Sequence, residues 1–139
     1  MHKVVFLDIE GVLSIGGGID INCCDNLLHI LDSTGAKIVL SSSWRLYDDD
    51  LKYTLTHLSP YGITPEHFCG STPNLYNKGR GTEIQEWLNH YPDITNYVVL
   101  DDNYIREQNV PSDRFFMTEY ETGLTYDIAK QCVERLNNA

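Results

Sequence analysis

The sequence predicts an α/β fold of three layers, in which a mostly parallel central sheet is covered by helices on both faces. Three observations carry this reading. Short, nearly continuous apolar runs recur along the chain, as in Val4-Val5-Phe6-Leu7, Ile38-Val39-Leu40 and Val98-Val99-Leu100, and such runs fit strands buried on both faces. Amphipathic stretches of helical period separate them, the alternation of βαβ units. Each run also ends abruptly in polar residues, at Asp8, at Ser41-Ser42-Ser43 and at Asp101-Asp102. Ligands of open α/β sheets bind beyond that carboxyl edge.

Taken in order, Val4 to Leu7 is the first strand. Ser14-Ile15-Gly16-Gly17-Gly18-Ile19 is a glycine-rich loop or a small hairpin. A helix is expected from Asn22 to Ser33, with Leu27, Leu28, Ile30 and Leu31 on its apolar face and Gly35 as its C-terminal cap. Lys37 to Leu40 is the second strand. Asp48 to Leu58 reads as a helix whose acidic first turn suits the helix dipole, ended by Pro60-Tyr61-Gly62. His67-Phe68-Cys69 is a short strand. Thr82 to His90 is a helix with Ile84, Trp87 and Leu88 inward. Tyr97 to Leu100 and Phe115-Phe116-Met117 are strands, and Leu124 to Leu136 is a C-terminal helix. With 139 residues and neither repeat nor linker, one domain over residues 1–139 is expected.

The composition, 42% hydrophobic and 22% charged, is that of an ordinary globular chain rather than a disordered one. The formal charge of -10 speaks against a nucleic-acid binder that relies on a broad basic surface, though not against a local basic pocket. Cys23, Cys24, Cys69 and Cys132 form no CxxC pair and read as reduced, packed thiols. The first apolar run is too short for a signal peptide, and no run approaches the ~20 residues that span a bilayer. A cytoplasmic location and no membrane partner are the expectation.

Three strands would thus deliver Asp8, Ser41 and Asp101-Asp102 to one edge. Converging carboxylates repel and keep their protons unless a cation neutralises them. Oxygen ligands without His or Cys favour magnesium, Mg2+, which also accepts a substrate phosphate. A carboxylate beside that ion can attack phosphorus. Ser41 offers a hydroxyl for the phosphoryl oxygens, with Ser42 the alternative. Lys78 offers a cation, with Arg80 in competition for the role. Arg45 is either a partner of Asp48-Asp49-Asp50 or a substrate-binding residue. Trp44 and Trp87 are assigned to the core, and the five histidines receive no role.

These residues resemble the motifs of the haloacid dehalogenase (HAD) superfamily. Leu7-Asp8-Ile9-Glu10-Gly11-Val12-Leu13 is similar to its first motif, Val39-Leu40-Ser41 to its second, Lys78 to its third, and Val98-Val99-Leu100-Asp101-Asp102 to its fourth. Ser41-Ser42-Ser43-Trp44-Arg45, Lys78-Gly79-Arg80 and the stretch from Glu83 to Leu88 resemble more narrowly the HAD domains associated with Swiss-army-knife RNA-repair proteins. The resemblance implies a Rossmann-like HAD fold without a large cap, and a magnesium-dependent phosphatase that forms an aspartyl-phosphate on Asp8. It implies metal contacts at Asp8, Glu10, Asp101 and Asp102, that of Glu10 through its backbone carbonyl. It also gives the residue two after the nucleophile the task of general acid, then general base.

That residue is usually Asp, and here it is Glu10. Its chemistry is right, but its arm is one methylene longer. General acid–base catalysis contributes about 10²–10⁴-fold, and part of that is at stake. A capless site is open and suits an exposed phosphate on a macromolecule, either a phosphoprotein (phosphotyrosine included) or a polynucleotide end. The competing reading is a catalytically attenuated module that binds phosphate or a partner. A response-regulator receiver domain needs its acidic pair early and its Lys late, the reverse of the order here, and is set aside.

Overall fold

The expected strands and helices form in the computed structural model, which describes residues 2–47, 51–103 and 109–138. In chain order they are β1 (Lys3–Leu7), a hairpin of β2 (Ser14–Ile15) and β3 (Gly18–Ile19), α1 (Ile21–Thr34), β4 (Lys37–Leu40), α2 (Lys52–Leu58), β5 (Phe68–Ser71), α3 (Arg80–His90), β6 (Asn96–Asp101), β7 (Phe115–Met117) and α4 (Tyr126–Asn137). Five strands make one sheet in the order β5-β4-β1-β6-β7, and every neighbouring pair is parallel.

Period-two alternation divides the core between the two faces of this sheet. Val5, Leu7, Ile38, Leu40, Val98 and Leu100 pack with Leu27, Ile30 and Leu31 of α1 and with Ala129, Cys132 and Leu136 of α4. Val4, Phe6, Val39 and Val99 turn to the opposite face, under Ile84 and Trp87 of α3. There Phe6 meets Trp87 and Tyr97 edge-on, with ring centroids 5.5 and 5.6 Å apart. The result is the three-layer, Rossmann-like arrangement.

Local chemistry sets the helix limits. Asp20 accepts the Cys23 N–H at 3.0 Å and starts α1. Gly35, at φ 74°, closes it by donating to the Leu31 carbonyl. Thr125 accepts the Ile128 N–H at 3.3 Å, so α4 begins after Thr125 rather than at Leu124. Helix α3 begins at Arg80, two residues before the apolar pattern indicates. Of the helix expected over residues 48–58, α2 supplies the part from Lys52. Asp48-Asp49-Asp50 lies outside the described residues.

Among the described residues the connections at the carboxyl edge of the sheet carry no cap domain. The connection after β1 holds only the hairpin, and that between β4 and β5 holds α2 and short turns. No described helix is long and apolar enough to cross a membrane. All four cysteines are free, and burial pushes the Cys24 and Cys132 thiols up to about 12.

Candidate active site

Leu7 of β1 pairs with Leu40 of β4 on one side and with Leu100 of β6 on the other. The residues that follow, Ser41, Asp8 and Asp101, therefore stand side by side at the carboxyl edge. The ladder extends through them, since the Ser41 N–H donates to the Leu7 carbonyl at 2.9 Å and the Asp8 N–H to the Leu100 carbonyl at 3.0 Å. Following Val39, Phe6 and Val99 by two, all three take the face covered by α3. Arg80, the first residue of α3, reaches in from there.

Asp8, Asp101 and Asp102 each offer a carboxylate oxygen within 4.8 Å of the others. Asp8 and Asp101 are buried, and Asp102 is half-buried. Arg80 Nη1 donates to Asp101 Oδ2 at 2.6 Å and lies 3.4 Å from Asp8 Oδ2. Asp101 Oδ1 accepts the Asn103 N–H at 2.9 Å. Burial pushes the Asp8 carboxyl up to about 7; the Asp101 charge adds to this, while Arg80 and the Ile9 N–H oppose it. Burial also raises Asp101, against the pull of Arg80. For Arg80 burial works against the charge, and Asp101 and Asp8 outweigh it, so its pKa is raised.

One guanidinium does not balance three carboxylates in so dry a place. An all-oxygen donor set with excess negative charge fits a hard divalent cation such as Mg2+. Asp8, Asp101 and Asp102 are the residues that would hold it.

The loop after Asp8 is shaped around Asp102. Gly11 has φ 78°, and a Cβ there would collide with the Asp102 carboxylate. From the other side, Thr118 Oγ1 donates to the Gly11 carbonyl at 2.6 Å and the Leu124 N–H to the Val12 carbonyl at 2.8 Å. Gly11→Ala is therefore expected to displace Asp102 and weaken Mg2+ binding by about 10- to 100-fold, the range seen when the support of a metal ligand is lost. A thermal-shift titration against Mg2+ measures this, and an unchanged affinity would remove Asp102 from the ligand set.

Ser41 is fully buried, and its Oγ has no hydrogen-bond partner among the described residues. A buried hydroxyl left unpaired is costly unless something completes it. Ser42 is engaged instead: its Oγ accepts the Trp44 N–H at 3.2 Å and caps the short turn Ser43–Leu46. Glu10 is exposed, and its Oε1 accepts the Trp44 indole N–H at 3.2 Å. Its side chain is not among the three that converge on the acidic cluster.

Arg45 is committed elsewhere. Its Nε donates to the Thr72 carbonyl at 3.0 Å, Nη1 to the Ser42 carbonyl at 2.8 Å, and Nη2 to Glu83 Oε1 at 2.9 Å. The other oxygen of Glu83 accepts the Leu75 N–H at 3.0 Å. Both charges are buried, with side chains 6% and 7% exposed. The pair clamps the turns after β4 and β5 onto α3, in back of Ser41. Lys78, by contrast, is exposed, and its ammonium has no ion pair among the described residues. Among the described residues, the cation that reaches the carboxylates is Arg80. Sequence reasoning gave no role to Glu83 or Thr118; Glu83 entered only as the first residue of the stretch from Glu83 to Leu88 that carries the narrower resemblance.

The model of a protein family, described as the HAD domain in Swiss Army Knife RNA repair proteins, matches residues 4–129. No curated protein and no solved structure shows significant similarity to the chain.

Proposed function

This chain belongs to the HAD domains of Swiss Army Knife RNA repair proteins, and from that premise we propose that it is a magnesium-dependent phosphomonoester hydrolase acting through an aspartyl-phosphate on Asp8. Family membership supports the coarser reading, a HAD-type phosphoester hydrolase. The finer one is carried by a single observation: a buried carboxylate at a strand end, held between a guanidinium and two further carboxylates.

Each residue has a task. Asp8 attacks phosphorus as the carboxylate, the bond to the leaving oxygen breaks, and its electron pair stays on that oxygen. Glu10 gives the leaving oxygen a proton. In the second half-reaction water attacks phosphorus and gives its proton to Glu10, and the bond to Asp8 breaks, releasing phosphate. Arg80 orients Asp8 and offsets its charge from the side of α3. The unpaired Ser41 hydroxyl donates to a phosphoryl oxygen, the partner it otherwise lacks. Mg2+, when bound, neutralises charge on the transferring group.

The lack of a cap domain supports a phosphate carried on a macromolecule, whether phosphoprotein or polynucleotide end. Release of phosphate from p-nitrophenyl phosphate, compared in Mg2+ and in EDTA, tests the chemistry; phosphopeptides and phosphorylated oligonucleotides then sort the substrate. Mg2+-dependent release is expected. Release that persists undiminished in EDTA would refute the metal requirement. No release from the wild type or from Glu10→Asp would favour a phosphate-binding module.

A further inference from the structure

We propose that Trp44 is a positioning residue for Glu10, holding its carboxyl group in one orientation; the inference rests on the phosphatase reading above. Its basis is one hydrogen bond between segments far apart in sequence, from the Trp44 indole Nε1–H to Glu10 Oε1 at 3.2 Å. An exposed glutamate on a loop has three side-chain torsions through which to wander. The indole nitrogen can donate but never accept. It therefore engages Oε1 as donor and leaves Oε2 to other partners. The extra methylene that makes Glu10 a misfit for its task is the arm by which it is tethered.

Trp44 is fit to serve as a fixed post. Its side chain is 8% exposed and belongs to the core shared with α1 and α4. Its backbone N–H is held by Ser42. Tyr53 and His57 of α2 meet its ring edge-on, at centroid distances of 5.1 and 5.4 Å. The segment between β4 and β5 thus supports the acid–base residue from outside.

The test compares a good leaving group, p-nitrophenyl phosphate, with a poorer one, phenyl phosphate, through kcat/KM, which reports steps up to formation of the aspartyl-phosphate. A poorer leaving group depends more on a well-aimed acid. Trp44→Phe keeps the ring and removes the donor. It is expected to lower kcat/KM for phenyl phosphate about tenfold more than for p-nitrophenyl phosphate, and to add nothing to Glu10→Ala in the double variant. A merely structural tryptophan would reduce both esters alike and add to Glu10→Ala, which would overturn the proposal.

A second arm needs neither activity nor metal. In ¹H–¹⁵N spectra of the intact chain, Glu10→Ala is expected to shift the indole signal that Trp44→Phe removes, leaving the Trp87 signal in place. An unmoved signal overturns the proposal; where Trp44→Phe fails to fold, Trp87→Phe assigns the two indole signals instead. If the wild type releases phosphate from neither ester, the phosphatase reading falls and takes this one with it. If it releases phosphate but the leaving-group bias is absent, only the role of Trp44 falls.

Discussion

Asp8→Asn is expected to abolish phosphate release while raising the melting temperature of the metal-free protein at pH 8. The first effect follows because an amide cannot form the aspartyl-phosphate. The second follows from the proton affinity of Asp8, whose carboxyl group is raised from its ordinary 3.8 to about 7, first by burial and then by Asp101. The folded state thus binds this proton more tightly than the unfolded chain. Its contribution to stability is complete below about pH 4 and is lost as the pH climbs to about 7. The penalty above that range is on the order of 2–4 kcal/mol. Asn is neutral at every pH and escapes it.

On the proposed mechanism Mg2+ should do the same for the wild type, by engaging the ionised carboxylate. Its stabilisation is expected to grow from pH 5 to pH 8 in the wild type and to be much reduced in Asp8→Asn. Differential scanning calorimetry at three pH values, with and without Mg2+, reads both effects. A metal-free Asp8→Asn that melts below the wild type at pH 8 would contradict the burial of an uncompensated charge.

Arg45→Ala should have the largest effect on stability. It strands the Glu83 carboxylate, 7% exposed, with the Leu75 N–H as its remaining partner among the described residues, and it takes from the Thr72 carbonyl the donor Arg45 supplies, while the Ser42 carbonyl keeps the backbone N–H of residue 45. Breaking one side of a buried pair costs about 3–5 kcal/mol, which in a domain of this size lowers the melting temperature by on the order of 10 °C. Arg45→Lys should recover little, since an ammonium cannot fork to several carbonyls and a carboxylate at once. Lys78→Ala, at an exposed position, should change stability by less than about 0.5 kcal/mol. Urea denaturation separates these cases. Were Arg45 a substrate contact instead, the loss would appear in KM with folding untouched.

What could be read from the sequence was what local pattern encodes. β1, β4 and β6 are legible because strands buried on both faces must be apolar throughout, and Asp8, Ser41 and Asp101 because they interrupt those runs at the same rung. The contacts that tie the site together were not legible. Glu10 meets Trp44, and Arg45 meets Glu83, across long stretches of chain, and no periodicity announces such pairs. Lys78 and Arg80 were separated by a helix boundary. With α3 starting at Arg80, its side chain stands over the carboxylates, and Lys78 falls in the turn outside. A two-residue displacement of a helix start is within ordinary uncertainty of pattern reading, and here it decides which cation faces Asp8.

The loop that carries Asp8 and Gly11 is fastened by Thr118 and Leu124, residues that follow the last strand of the sheet. During synthesis Asp8 is therefore made well before the parts that seat its loop. Asp101 and Asp102 come late, and the fasteners come later still. A nascent chain would lack the fastening of this loop until translation has passed Leu124.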